Sequence, residues 1–224
     1  MAQLIETTGG VGDGPRQRIV EGLLSCGFAV EPGYVSPTLV RALRREVRQR
    51  DARGEFSEAA IGRHSLQQQN EFVRRDRTFW LDGSTLAQLR LLEELEQLRV
   101  EINRSLFLGL FDLEAHFALY PPGGFYRRHL DAFRGDNPRV VSVVLYLNPR
   151  WQQAHGGCLR IWPDQDAVTP LLDVAPRAGT LVCFLSERIP HEVLAAHADR
   201  ISIAGWFRRN EGPGLWSAPL LSVF

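Results

Sequence analysis

Two side chains able to hold a metal ion stand two residues apart in the stretch FYRRHLDAF: His129 and Asp131. In an extended chain, residues i and i+2 share a face. This imidazole and this carboxylate can therefore reach one ion from a single strand or its end. Alone, the pair reads equally as solvated polar residues. His191 is a third ligand of the same kind. It follows Pro190 after the apolar run LVCFL, and so opens a new segment near a strand end. By itself it also reads as a strand-edge histidine bonded to backbone. Two histidines and one carboxylate form a facial triad, which leaves three positions open on one side of an iron for an organic cosubstrate and O2 together.

Arg200 lies nine residues beyond His191 and opens the apolar strand ISIAGWF. One turn of the chain between them would bring its guanidinium into the same space. A buried guanidinium needs a carboxylate partner, and its planar fork suits the distal carboxylate of a dicarboxylic acid. Tyr146, within VVSVVLYL, carries a hydroxyl that needs a partner when buried. Tyr120 precedes the His-x-Asp pair. Each tyrosine also reads as ordinary core packing. No metal role falls to His64 in a polar loop, His116 in an apolar strand, His155 before a Gly-Gly turn or His197 in an Ala-rich link.

These groups need elements to position them. Residues 16–24 read as a short helix closed by Cys26-Gly27, and 28–30 as a strand. Ser36-Pro37 is a helix start, and Leu39, Val40, Leu43 and Val47 follow at helical spacing to about Arg50. Residues 51–70 are polar and irregular, a loop. Residues 77–81 read as a strand, after which Ser84 caps a long helix with Leu91, Leu95, Leu98, Ile102 and Leu106 on one face. Beyond Gly109, short apolar runs at 116–120, 140–147, 158–162, 180–185 and 201–207 alternate with Gly- and Pro-rich turns, the pattern of a β-sandwich or barrel. The fold class expected is α+β, mainly β. Residues 1–14 are a flexible lead and 15–224 one domain, with helical support and a lid loop over 15–110, the β core over 111–210 and a tail over 211–224.

Basic and acidic residues balance at 26 each, so no global field draws nucleic acid or an anionic membrane. No apolar run reaches the roughly eighteen residues of a membrane span. The N-terminus lacks the pattern of a signal peptide. Three scattered cysteines without a CxxC fit a reducing cytoplasm. Balanced charge is compatible with a monomer.

Taken in order, Tyr120-Pro121, His129-x-Asp131, Tyr146-Leu147-Asn148, Gly156-Gly157-Cys158-Leu159-Arg160, Pro190-His191-Glu192-Val193, Arg200 and Trp206 resemble the iron(II) and 2-oxoglutarate dependent oxygenases. More narrowly, they resemble the prolyl 4-hydroxylases related to the hypoxia-inducible-factor prolyl hydroxylases, in a compact bacterial form. The resemblance covers roughly residues 70–210 and includes Arg75 to Gly83. It implies a double-stranded β-helix, or jelly-roll, core supported by the N-terminal helices. It also implies Fe(II) on His129, Asp131 and His191, and 2-oxoglutarate held by Arg200 and Tyr146, with Tyr120 and Leu159 lining that pocket. Arg139 and Trp206 would border a peptide groove, and Asp76 would sit in a finger-like loop folding over the substrate. O2 is the co-reactant and ascorbate a stimulant. The implied substrate is a protein carrying a target proline, elongation factor Tu in the bacterial relatives, with oxygen sensing as the role. Ala204 departs from the pattern, standing where relatives carry a hydroxyl residue.

Three rivals remain at the level of residues. One is an oxygenase of the same chemistry acting on a free amino acid or other small molecule. Another is a metal-free β-barrel that only binds a partner, which would have no use for His129, Asp131, His191 and Arg200 together. The last is a zinc hydrolase, which would need a general base near the metal and would leave Arg200 unexplained.

Overall fold

The computed structural model describes residues 14–59, 74–132 and 138–210. Most of the expected lead, most of the expected 51–70 loop and the tail from 211 lie outside these residues.

Three helices begin where local chemistry starts them. The first, α1 (Pro15–Ser25), has proline in its opening turn and closes before Gly27, whose φ is +83°. In α2 (Pro37–Ala52), the Ser36 hydroxyl accepts from the Leu39 N–H at 3.2 Å. The cap of α3 (Leu86–Leu106) is Thr85, which accepts from the Gln88 N–H. Ser84 was the expected cap, and the register moves by one because the Thr85 hydroxyl is also fixed by Glu46 at 2.7 Å. The predicted apolar stripe is buried at Leu91, Leu95, Leu98 and Ile102. Each such side chain contributes about 1.5–3 kcal/mol of transfer free energy.

Among the described residues, eleven strands form two antiparallel sheets. The larger contains β1 (Phe28–Glu31), β2 (Ser57–Glu58), β3 (Arg77–Trp80), β4 (Leu110–Tyr120), β6 (Arg139–Tyr146), β9 (Leu181–Leu185) and β11 (Arg200–Arg209). Its order is β1-β9-β6-β11-β4-β3-β2. The smaller is β5-β10-β7-β8, from β5 (Tyr126–His129), β10 (His191–Val193), β7 (Leu159–Ile161) and β8 (Leu172–Val174). This mainly β, two-sheet arrangement with three helices has the architecture of the expected jelly roll. Strand β4 begins six residues before the apolar run at 116, because its ladder with β11 continues to Leu110. Strands β5, β8 and β10 are too short to carry a periodic signal.

Alternation along the strands separates two cores. Phe117 and Leu119 of β4, Val141, Val143 and Leu145 of β6, and Ile201, Ile203 and Phe207 of β11 pack with the helices. At Gly22, α1 lies so close to β1 that a Cβ there would meet Ala29 Cβ and the Phe28 carbonyl at 2.7 Å. The opposite face of the large sheet carries Ala118, Tyr120 and Tyr146. These pack with Leu159, Ile161 and Val193 of the small sheet. The site lies between the sheets.

Candidate active site

His129 ends β5 and His191 opens β10, and the two are Cα partners in the antiparallel ladder. Asp131 sits just past the end of β5. One ligand atom from each of the three lies within 4.8 Å of the others. Among the described residues no second cluster of this kind occurs. Each imidazole uses Nδ1 on the carbonyl two residues earlier: His129 on Arg127 at 2.7 Å and His191 on Ile189 at 3.0 Å. A carbonyl only accepts, so both Nδ1 atoms carry the hydrogen and both Nε2 lone pairs remain for a metal. Those Nε2 atoms lie 3.4 and 3.7 Å from the Asp131 carboxylate. The Ser142 hydroxyl donates to Asp131 Oδ2 at 2.6 Å and is itself bonded to Ser186.

Burial pushes the Asp131 carboxyl up, but His191, His129 and the Ser142 hydroxyl outweigh it and hold it well below the usual carboxylate range. His191 moves the opposite way from what Asp131 alone would dictate. Burial, then repulsion from His129, bring it down to about 4. At neutral pH this leaves an ionised carboxylate and a neutral His191, the protonation states a metal needs.

A cavity of about 620 Å³ opens on the triad and runs on to Arg200. Arg200 is 1% exposed. Its Nε donates to the Gly157 carbonyl at 2.8 Å and its Nη1 to Ser202 at 3.2 Å, whereas Nη2 has no partner. Gly157 has φ +64°, and a Cβ there would approach Arg200 Cδ to 3.0 Å, so glycine both makes the turn and leaves room for the stem. The buried Tyr146 hydroxyl is also unpartnered, and burial raises its pKa to about 12. The guanidinium carbon lies 5.2 Å from the Tyr146 ring centroid and 4.9 Å from that of Tyr120. Among the described residues no carboxylate pairs with Arg200. A buried cation and a buried hydroxyl, both with unused hydrogen-bonding capacity, fit a carboxylate brought in by a ligand. Leu159 and Tyr120 line the same cavity.

This chain is similar to a Pseudomonas putida prolyl-4-hydroxylase of known structure. It is 47% identical to this chain, with a TM-score of 0.77, and the match covers 86% of this chain and 97% of that one. The profile of the 2OG-Fe(II) oxygenase superfamily matches residues 115–208, the segment that carries the triad and Arg200. The chain belongs to the 2OG-Fe(II) oxygenase superfamily. This oxygenase is also similar to a Trichoplax adhaerens prolyl hydroxylase solved with a hypoxia-inducible-factor peptide, at 26% identity and a TM-score of 0.77, covering 86% and 88% of the two chains. Human Egl nine homolog 1 is 29% identical over 193 residues, which span 81% of this chain and 43% of that protein. The oxygenase thus spans less than half the length of that relative. Fe(II), 2-oxoglutarate and O2 are the reactants of the superfamily, and the donor set and the unpaired Arg200–Tyr146 end fit the first two.

Arg139 and Trp206 of the oxygenase both line the cavity, with the Arg139 guanidinium 3.6 Å over the Trp206 ring and its Nε bonded to Glu114. Asp76 is elsewhere. It is 1% exposed and does not border the cavity, and it makes a two-pronged ion pair with Arg74 at 2.7 Å on each oxygen. Arg74 lies 4.5 Å over the Tyr126 ring, which stacks on His129 at 3.7 Å. Among the described residues Asp76 thus stands behind Arg74 and not in the cavity lining. Its own backbone carbonyl accepts from Ala59, so this part of the chain is tied down on both sides. Sequence reasoning missed Ser142, Tyr126, Arg74 and His116, all in or beside the site. Ser142 had a signal, as the one polar residue inside VVSVV.

Proposed function

We propose that this oxygenase hydroxylates C4 of a prolyl residue in a protein substrate, coupled to conversion of 2-oxoglutarate to succinate and carbon dioxide. The observation that carries it is the buried Arg200 guanidinium without a carboxylate, facing the same cavity as the triad. A hydrolase would have no use for it. His129, Asp131 and His191 hold Fe(II), which together with 2-oxoglutarate supplies the activation of O2. Arg200 and Tyr146 grip the far carboxylate of 2-oxoglutarate and so orient its other end toward the triad. Tyr120 and Leu159 wall that end from water. Arg139 and Trp206 line the part of the cavity that a peptide would enter. Similarity to prolyl hydroxylases, one of them solved with a peptide, supports the substrate class.

Elongation factor Tu is the protein substrate we assign, and oxygen sensing is the role. The oxygenase acts as a monomer in the cytoplasm, with ascorbate stimulating turnover. No helix of the described residues is long and apolar enough to cross a membrane.

The test measures O2-dependent succinate release with Fe(II), together with the intact mass of a proline-containing elongation factor Tu peptide. The expected result is succinate plus the added mass of one oxygen atom, both lost in His129→Ala and Arg200→Ala. Succinate without the mass gain discards this substrate. Neither succinate nor iron binding overturns the oxygenase reading of the site.

A further inference from the structure

A second cavity, of about 1020 Å³, shares no lining residue with the first. Arg41, Arg44, Arg45 and Arg48 of α2 all line it. Their spacing, i, i+3, i+4 and i+7, puts them on one helix face. Arg150, from the turn after β6, lines the same cavity. Among the described residues no carboxylate lines it, and no ion pair engages any of the five. Arg50, the next arginine of the helix, shows the contrast, since it pairs with Glu46 and Glu55 at 2.8 Å each.

What the five do instead is little. Arg41 donates to the Thr38 hydroxyl, a neutral group, at 3.0 Å. The Nε of Arg44 is buried and has no hydrogen-bond partner. Burial, then repulsion from Arg48, lowers the Arg44 pKa, and Asp199 offsets this only in part. Like charges held this close on a helix carry a cost that an incoming anion removes. Most of the remaining lining is apolar and includes Val35, Val40, Pro149 and Ala178.

Guanidinium forks suit phosphate oxygens. At a rise of about 1.5 Å per residue, Arg41 to Arg48 extend over about 10 Å, which is long for one phosphate and suits two or three joined in a chain. The same arginines would serve a carboxylate-rich peptide, but such a peptide has no apolar group to cover the rest of the lining. A concave space of this size, with apolar walls and a few charged groups, suits a small organic ligand.

We propose that this cavity binds a nucleoside di- or triphosphate, with its phosphates on the five arginines and its base against the apolar lining. The site is separate from the triad, so the proposal does not depend on the reaction assigned above.

The test uses the full chain with Zn(II) in place of Fe(II), saturated with 2-oxoglutarate, in excess Mg(II) and about 0.15 M salt, which screens attraction between exposed charges. Calorimetric titration compares adenosine triphosphate, tripolyphosphate and an octaglutamate peptide. The nucleotide is expected to bind at one site. Tripolyphosphate should bind about tenfold more weakly, having no ring to cover the apolar lining. Arg45 and Arg48 have exposed side chains, and Arg45→Glu and Arg48→Glu should each weaken the nucleotide about 10–100-fold, the scale of hydrogen bonds to charged groups. Arg90→Glu, at an exposed position of α3, should change nothing. No nucleotide binding, tripolyphosphate binding as tight as the nucleotide, or equal losses in all three variants overturns the proposal. Tighter binding of octaglutamate assigns the arginines to an acidic protein segment and overturns it as well. Displacement of the nucleotide by further 2-oxoglutarate places it at Arg200, with the same result. If a variant does not fold, the ranking of the three probes on the wild-type chain decides.

Discussion

His129 and His191 stand opposite each other across two antiparallel strands, and each ring is tied through Nδ1 to the carbonyl two residues before it. The two imidazoles are thus oriented by backbone before any ion arrives. The carboxylate between them is oriented by a side chain, the Ser142 hydroxyl.

Ser142→Ala removes that hydrogen bond, and the one between Ser142 and Ser186, in a buried place. Iron affinity should fall about 10–100-fold, the usual effect of losing a group that orients a ligand. Fe(II) titration followed by tryptophan emission reads this directly, and an unchanged affinity would show that Asp131 is oriented without Ser142.

Tyr146→Phe separates stability from binding. The hydroxyl is buried and unpartnered without a ligand, so its loss should stabilise the ligand-free chain by about 0.5–1 kcal/mol. The same change should raise the KM for 2-oxoglutarate about 3–10-fold, while Arg200→Ala, which removes the charged partner, should raise it about 100-fold. Urea denaturation and succinate assays against 2-oxoglutarate concentration check the two signs. A destabilised Tyr146→Phe chain would mean that the hydroxyl has a partner within the protein.

Asp76→Ala leaves the Arg74 guanidinium without its carboxylate partner in a place where the Asp76 side chain is 0% and Arg74 13% exposed. Breaking a buried pair from one side costs about 3–5 kcal/mol. The denaturation midpoint should drop accordingly. A shift below 1 kcal/mol would place the pair among solvated ion pairs.

His116 makes stability depend on pH. Its pKa is lowered from 6.5 to about 3, first by burial and then by Arg74 and Arg139. Between those values the unfolded chain binds a proton that the native chain refuses. Stability is therefore constant above about pH 6.5, falls as the pH drops toward 3, and levels off below. At pH 4.5 the loss attributable to this ring is on the order of 2–3 kcal/mol. Wild type and His116→Met, denatured with urea at pH 7 and pH 4.5, should differ by that much in their pH response. Parallel responses would show the ring to be hydrated in the folded state.

Much of the site was legible in the chain. The His-x-Asp pair, the histidine after Pro190 and the arginine nine residues on are local patterns, and their chemistry depends on residue type and short spacing. The helices were equally plain, because caps and the 3.6-residue period act within a few turns. Thr85 displaced Ser84 as a cap only because Glu46, far away in sequence, bonds it. The strands β2, β8 and β10 escaped notice for a related reason. Two or three residues carry no period, and such strands exist by pairing with partners from other parts of the chain.

Asp76 shows where the sequence stops. Its neighbourhood was recognisable, yet nothing local said that its carboxylate would turn inward onto Arg74. The case of His116 is similar, an isolated polar residue in an apolar run whose use depends on what faces it. By itself the sequence determined which chemical groups are present and which of them share a strand face, since side chains in a strand alternate with period two. Only the tertiary structure decided which face of β4, β6 and β11 meets the helices and which meets the small sheet. That choice is made by packing between elements distant in sequence, and it is what leaves Arg200, His116 and Trp206 around one cavity, with Tyr146 beside Arg200, and hydrogen bonds still to make.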